Sequence, residues 1–76
     1  MSTKYRFREC YRIELREKDH RPPHVHLTGA GVDVMIALQP VSIMQGTAPA
    51  PVLREALTWV RQHQRTLLED WYLWHP

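Results

Sequence analysis

The chain has 76 residues and a mass of 9.0 kDa, so it is expected to form a single domain, residues 1–76, because so short a chain has too little apolar surface for a second core. Hydrophobic residues make up 43% and charged residues 24%, which argues against a disordered chain and against a membrane protein. The sequence has neither a signal-peptide core nor about 18 uninterrupted apolar residues. We therefore expect a cytoplasmic domain.

Cysteine content and charge restrict the chemistry further. The single cysteine, Cys10, cannot form an internal disulfide or a cysteine-rich zinc site. The net charge is +2, and residues 1–38 carry seven basic and five acidic side chains, against three of each in residues 39–76. A basic excess confined to the first half is one indication of an anionic partner.

The first 17 residues contain the pattern of a β-hairpin. Apolar and charged residues alternate over positions 4–8 and again over 11–17. Strict alternation of this kind is typical of half-buried strands. We therefore expect two antiparallel strands that share one apolar side, formed by Tyr5, Phe7, Tyr11, Ile13 and Leu15.

A second hairpin is predicted from the stretch DHRPPHVHL and the residues after it. Pro22 and Pro23 cannot donate backbone hydrogen bonds, so they form a loop that leads into a strand over residues 24–28. A glycine-containing turn then precedes a fourth strand over residues 32–38.

The register of this second hairpin decides which face of the sheet carries its histidines. A two-residue or four-residue turn pairs Val25 and Leu27 with apolar residues of the next strand. It therefore places His24 and His26 on the opposite face, with Asp33. A three-residue turn would bury both imidazoles on an apolar face without evident partners. We expect the histidines to lie outside the core.

The last third of the chain predicts one long amphipathic helix over residues 51–73, preceded by an irregular link. Pro51 fits the first helical turn, where a missing N–H costs nothing. Apolar residues recur every three or four positions, at Leu53, Leu57, Val60, Leu67, Trp71 and Trp74. The sequence thus predicts an α+β fold with two layers, a four-stranded antiparallel sheet and one long C-terminal helix packed on one face.

The helix-free face of this sheet collects the candidate binding residues, which are Arg6, Arg8, Arg12, Arg16, His24 and His26. Arginines gathered on one face can contact phosphates or carboxylates. The face therefore predicts a non-enzymatic binding module that acts in a complex with a small partner protein, with nucleic acid, or with both. No aromatic stacking platform is evident on it, which counts against the usual recognition of single-stranded RNA. The alternative is that the arginines only solvate the sheet and pair with Glu14 and Asp33.

His24 and His26 also suggest two chemical roles. Their spacing on a strand lets two imidazoles chelate one metal ion, with Asp33, Asp19 or His20 as a third ligand. That geometry permits a metal site without requiring one, and no metal or other cofactor is predicted.

The alternative function is that of a small nuclease-like enzyme. His24 and His26 are the candidate catalytic acid and base, because paired imidazoles can exchange protons near neutral pH, and Arg12 and Arg16 would hold a phosphodiester. No serine or cysteine nucleophile accompanies the pair. The sequence leaves open whether the protein is an enzyme.

Four motifs occur in a recognisable order. They are Tyr11-Arg12, Pro22-Pro23-His24-Val25-His26, Leu38 followed by Pro40-Val41, and Leu67-Leu68-Glu69 with Trp71. In this order they resemble a family of small bacterial domains known as domain of unknown function 4160. The resemblance covers nearly the whole chain. It implies a stand-alone domain encoded beside another small protein, in a toxin–antitoxin-like pair, and it implies no catalytic residue. Gln39 and residues 48–51 depart from the family pattern.

The aromatic end of the predicted helix suggests a further partner. Trp71 and Trp74 fit the apolar stripe, and Trp59 lies beside it. An exposed apolar patch that includes Tyr72 would indicate a homodimer formed through the helix end, or a partner helix.

Overall fold

The computed structural model describes residues 2–16 and 22–74, which form an antiparallel sheet covered on one face by two helices. The five strands lie side by side in chain order, as β1 (Ser2–Phe7), β2 (Tyr11–Leu15), β3 (His24–Gly29), β4 (Val32–Leu38) and β5 (Val41–Gln45). The helices are α1 (Ala50–Gln62) and α2 (Gln64–Trp74). The α+β class and the antiparallel sheet are confirmed. The predicted numbers of strands and helices are wrong.

The second hairpin has the register that its apolar residues require. Val25 lies opposite Ile36, and Leu27 lies opposite Val34, across a two-residue turn. All four side chains are 0% exposed. Burying a branched aliphatic side chain contributes roughly 1.5–3 kcal/mol, whereas a shift of one residue would expose the whole set, so burial fixes this register.

Residues 41–45 form a strand where the sequence predicts an irregular link. Ile43 lies opposite Ile36 and Ser42 lies opposite Ala37, with a register shift between Met35 and Ile36. Four of the five residues of β5 are exposed, so the strand lacks the alternation of buried and exposed positions that identifies the others. The turn before it, Gln39-Pro40, contains a cis peptide bond.

The single predicted helix is interrupted at His63. Its backbone has φ −116° and ψ 15°, and its N–H is shared between the carbonyls of Trp59 (3.1 Å) and Val60 (3.2 Å). The buried stripe nevertheless continues across the break, through Val52, Ala56, Val60, Leu67 and Trp71. Because Val60 and Leu67 are two helical turns apart, apolar spacing alone could not reveal the break.

The core lies between the helices and the inner face of the sheet, the face that carries Ile13 and Val25. α1 contributes Val60 and α2 contributes Leu67 and Trp71, each no more than 1% exposed. Leu53 and Leu57 are only half-buried, and Trp74 is exposed, so the predicted stripe is correct in part. No helix of the described residues is long and apolar enough to cross a membrane.

α2 crosses the end of the sheet from β4 towards β1. At its start, the Gln64 side chain donates a hydrogen bond to the carbonyl of Leu38 at the end of β4. Near its end, Asp70 pairs with Lys4 of β1 at 2.8 Å. This path carries Trp71 past the beginning of β3.

Gly29 allows β3 to approach the turn between β1 and β2. Its φ is +123°, a backbone angle that L-residues with a side chain rarely adopt. A Cβ placed there would lie 1.8 Å from the carbonyl oxygen of Cys10. Only glycine satisfies both conditions. Gly31, in the following turn, also has a positive φ of +76°, but a Cβ there would meet nothing within 4 Å.

Candidate binding face

The strand register fixes which residues share the outer face, which we define as the face of the sheet turned away from α1 and α2. Residues directly opposite each other in neighbouring strands have their side chains on the same face. Arg6 lies opposite Arg12, which lies opposite Thr28. Glu14 lies opposite His26. Thr3 lies opposite Glu14 in β1, and the pairing of β3 with β4 adds the remaining members. The outer face therefore carries Thr3, Arg6, Arg12, Glu14, His24, His26, Thr28, Asp33, Met35 and Ala37.

Glu14 is the centre of a hydrogen-bond network on the outer face. Its side chain is 2% exposed and accepts hydrogen bonds from Arg12 Nε and from Thr28 Oγ1 at 3.4 Å. Arg16 Nε lies 3.5 Å from the other carboxylate oxygen. Burial by itself raises the pKa of the Glu14 carboxyl, but hydrogen bonds and charge from Arg12 and Arg16 outweigh burial and hold that pKa below its usual value. An ionised Glu14 therefore fixes two guanidinium groups.

The two histidines lie side by side on this face but are not open to solvent. His24 is 2% and His26 is 5% exposed, and their ring centroids are 5.0 Å apart. The centroid of the Trp71 ring lies 5.2 Å from that of the His24 ring. The predicted side of the sheet is therefore correct, but the expectation of an open histidine face is wrong. Apolar spacing could not show that a tryptophan of the last helix reaches the first residue of β3.

A backbone hydrogen bond orients the ring of His24. Its Nδ1 lies 2.8 Å from the carbonyl oxygen of Pro22, which can only accept, so Nδ1 is the donor. His26 Nδ1 lies 3.7 Å from a carboxylate oxygen of Asp33, which is itself exposed. The short loop before β3 thus orients one ring, and the neighbouring strand approaches the other.

Arg8 does not belong to the outer face. The chain leaves β1 after Phe7, and Arg8 lies in the turn with a φ of 51°. Its Nε lies 2.8 Å from Glu55 Oε1 on α1, on the helical side of the sheet. The predicted placement of Arg8 on the outer face is wrong, because the alternation over residues 4–8 continues one residue beyond the strand.

Arg6 is the outer-face arginine without a carboxylate beside it among the described residues. It is exposed, directly opposes Arg12, and forms no ion pair with any residue in 2–16 or 22–74. Arg12 and Arg16, in contrast, share Glu14. Like charges directly opposite each other across strands are destabilising, so the Arg6 end of this face has positive charge that the described part of the chain does not compensate.

Within residues 2–16 and 22–74, the suggested metal site has no complete set of ligands. Among the described residues, no group of three or more histidine, cysteine, aspartate or glutamate side chains could hold a metal ion. Two of the suggested third ligands, Asp19 and His20, lie outside the described residues. His24 and His26 with the nearby Asp33 therefore do not define a metal centre.

The aromatic residues of the helices divide into two groups. Trp59 is half-buried and stacks on Tyr5, with ring centroids 4.8 Å apart and planes 5° from parallel. Tyr72, Leu73 and Trp74 are 52%, 74% and 47% exposed. An exposed apolar end of α2 is therefore present, but Trp59 is not part of it.

Fold and site together define a small α+β domain, with a five-stranded meander under two helices and an arginine–glutamate–histidine network on its other face. The family model described as Domain of unknown function (DUF4160) matches residues 11–72, and the chain belongs to this family. The matched segment contains both the Glu14 network and Trp71. No curated protein matches the chain. No solved structure matches it either.

Proposed function

We propose that this protein is a non-enzymatic binding module that acts in the cytoplasm in a complex with a small partner protein, as one member of a bacterial toxin–antitoxin-like pair. The partner contacts the outer face. The single observation that carries the proposal is the charge of Arg6, which no described residue compensates, beside a Glu14 network that holds Arg12 and Arg16 in place. The bacterial origin and the gene pair rest on the family resemblance alone.

The network supports binding because it holds its cationic groups in place before a partner arrives. Arg12 and Arg16 are 44% and 36% exposed, yet each is paired with the buried carboxylate of Glu14. Fixing side chains in advance reduces the entropy lost on binding. A carboxylate from the partner, placed between Arg6 and Arg12, would relieve their repulsion through charge-assisted hydrogen bonds.

A protein partner fits this face better than a nucleic acid does. Arg6, Arg12 and Arg16 are offset by Glu14 and Asp33, which leaves a net charge of only +1 on these five residues. Nucleic-acid affinity depends on neutralising many phosphates, and single strands also require stacking platforms. Among the described residues of the outer face, histidines provide the only aromatic rings, and both are buried.

Burial of the histidines also counts against the nuclease alternative. A general acid or base must come within about 2.6–3.2 Å of the proton that it transfers. Rings that are 2% and 5% exposed offer little access to a phosphodiester. The double variant His24→Gln, His26→Gln separates the two functions, because it abolishes hydrolysis of RNA by a nuclease but leaves a folded binding module able to bind.

The proposal is tested with two threonines that are matched in type and exposure. Thr3 lies opposite Glu14 and so projects from the outer face, whereas Thr58 lies on the solvated side of α1. A photo-crosslinking residue at Thr3 is expected to trap one discrete small protein in the cells that make this chain. The same residue at Thr58 is not. Adding Arg6→Glu to the Thr3 variant is expected to remove the product.

Three results would contradict the proposal. Products that disappear on nuclease treatment would identify a nucleic-acid partner, and equal products from Thr3 and Thr58 would mean that the outer face has no special role. Multiple turnover of RNA by the purified wild-type protein, lost in the double histidine variant, would establish the enzyme.

A further inference from the structure

β5 is an edge strand without charge. The strand order leaves β5 paired only with β4, so no strand of the described chain pairs with its other side. Residues 34–53, which include all of β5, contain no Asp, Glu, Lys or Arg. Ile43 and Met44 are 42% and 39% exposed on this strand. Proteins usually protect such edges with charged residues, prolines or a covering element.

The opposite edge of the sheet is protected. β1 carries Lys4 and Arg6, and its register shifts between Thr3 and Tyr5. Lys4 is also held by Asp70 of α2 at 2.8 Å. The two edges of one sheet therefore differ, and only β5 presents an uncharged strand.

The backbone of β5 has hydrogen-bonding groups that face outward. Leu38 donates its N–H to Pro23, on the β3 side. Successive residues of a strand point their N–H and C=O groups to alternate sides. The backbone groups of Ala37 therefore point towards β5, and those of Ser42, the residue opposite, point towards β4. The N–H and C=O of Ile43 then point to the free edge.

We propose that β5 pairs antiparallel with β5 of a second copy of this chain, giving a two-fold homodimer with one continuous sheet. A two-fold axis at Ile43 lets each Ile43 exchange two N–H···O bonds with its counterpart. Ser42 then lies opposite Met44, and no ionised side chain is desolvated. Because each chain carries a net charge of +2, two copies repel least along the uncharged edge. This inference is independent of the proposed function.

The expected dimer is weak. A strand of five residues buries less surface than the roughly 1,200 Å² of a standard stable interface. We therefore expect the dimer to form and dissociate at micromolar or higher concentration rather than to be permanent. Because the two-fold axis at Ile43 is perpendicular to the sheet, the outer faces of the two copies lie on the same side of the dimer.

Sedimentation equilibrium of the full chain tests the proposal, over loading concentrations from about 1 to about 500 µM. The wild type is expected to shift from 9.0 kDa to twice that mass. Ile43→Lys places two positive charges in contact at the axis and is expected to weaken the dimer at least about tenfold. Leu73→Lys, at the 74% exposed end of α2, is the matched control and is expected to leave it unchanged.

Hydrogen exchange on the wild type provides a second measurement in case Ile43→Lys fails to fold. The amide of Ile43 is expected to exchange more slowly as the concentration rises, whereas the amide of Ser42, which bonds to β4, is not. A wild type that stays monomeric over the whole range overturns the proposal. Dimerisation that is lost in Leu73→Lys and kept in Ile43→Lys overturns it as well, in favour of the helix end.

Discussion

Glu14 illustrates how one buried carboxylate can organise a polar surface. Its cross-strand neighbours on the outer face, Thr3 and His26, are polar, yet it is 2% exposed. Two arginines and a threonine supply the hydrogen bonds that water would otherwise provide. A buried charge that keeps its partners is tolerated, whereas removing either side of the pair leaves an uncompensated group.

The lowered pKa of Glu14 has a consequence for stability against pH. A carboxyl with a lower pKa in the folded than in the unfolded chain contributes stability above the unfolded pKa, about 4.3, and loses it as the pH falls through the folded pKa. Glu14→Gln is therefore expected to lower the free energy of unfolding at pH 7 by about 1–3 kcal/mol, and to flatten its decline in acid. Urea unfolding at several pH values between about 7 and 3 measures both effects.

Glu69→Gln is the control for this experiment. Glu69 is a surface carboxylate with a 66% exposed side chain, 3.9 Å from Arg65. Exposed pairs of this kind contribute little, so its curve should follow that of the wild type within about 0.5 kcal/mol. If Glu14→Gln left the free energy of unfolding equally unchanged, the network would not stabilise the fold.

Substitutions at Gly29 and Gly31 distinguish the cost of a steric clash from the cost of an unfavourable backbone φ. Gly29→Ala would bring a methyl group onto a backbone carbonyl at a φ that alanine disfavours, so we expect a loss of at least about 3 kcal/mol, a large part of the stability of a small domain. Gly31→Ala meets no atoms and is expected to cost about 1 kcal/mol for its positive φ. Thermal unfolding followed by circular dichroism compares the two, and equal losses would contradict the close approach to Cys10.

At the scale of the elements, α2 is held to the sheet by few residues. Leu67 and Trp71 are its buried side chains, and Lys4–Asp70 and Gln64 provide polar contacts to the two sides of the sheet. The break at His63 gives α2 its own direction, which brings Trp71 to His24. Most of the stability of so short a helix comes from this packing.

Leu67 and Leu73 test the orientation of α2. Leu67 is 1% and Leu73 is 74% exposed. Leu67→Ala is expected to cost about 2–5 kcal/mol through lost contacts and a residual cavity. Leu73→Ala is expected to change stability by no more than about 0.5 kcal/mol. Urea unfolding monitored by tryptophan fluorescence measures both, and similar losses would mean that α2 presents a different face to the sheet.

Much of this fold could be predicted from the sequence because two hairpins bury one side strictly. The alternation around Val25 and Val34 fixed a register that the structure confirms. β5 could not be found in this way, because most of its residues are exposed and burial imposes no period on them. The break at His63 arises from local backbone geometry between two buried residues at helical spacing, which hydrophobic periodicity does not register.

The candidate site was predictable only in its side of the sheet. The strand register places the histidines and Arg12 on the face turned away from the helices. The burial of the rings, however, depends on residues distant in sequence, such as Trp71. Arg8 was misplaced because the end of β1 depends on a turn with positive φ at two residues, Arg8 and Glu9, that are not glycine. Charge type is visible in a sequence, whereas pairing partners across a fold are not.

At the scale of the whole molecule, charge is distributed unequally between the two edges of the sheet. The β1 edge is basic and tied to the helices, and the β5 edge is neutral and exposed. A partner bound to the outer face near Arg6 and a second copy paired along β5 would therefore occupy different parts of the surface. The proposed complex and the proposed dimer can coexist without competing for the same residues.

The contact between Lys4 and Asp70 brings the first strand and the last helix together. The end of α2 that carries Asp70 consequently lies beside β1, at the edge opposite β5. A tether attached to β1 through the exposed side chain of Thr3 would thus anchor the molecule by its basic edge. Immobilised in that orientation, the protein would leave its neutral edge accessible to the surrounding solution.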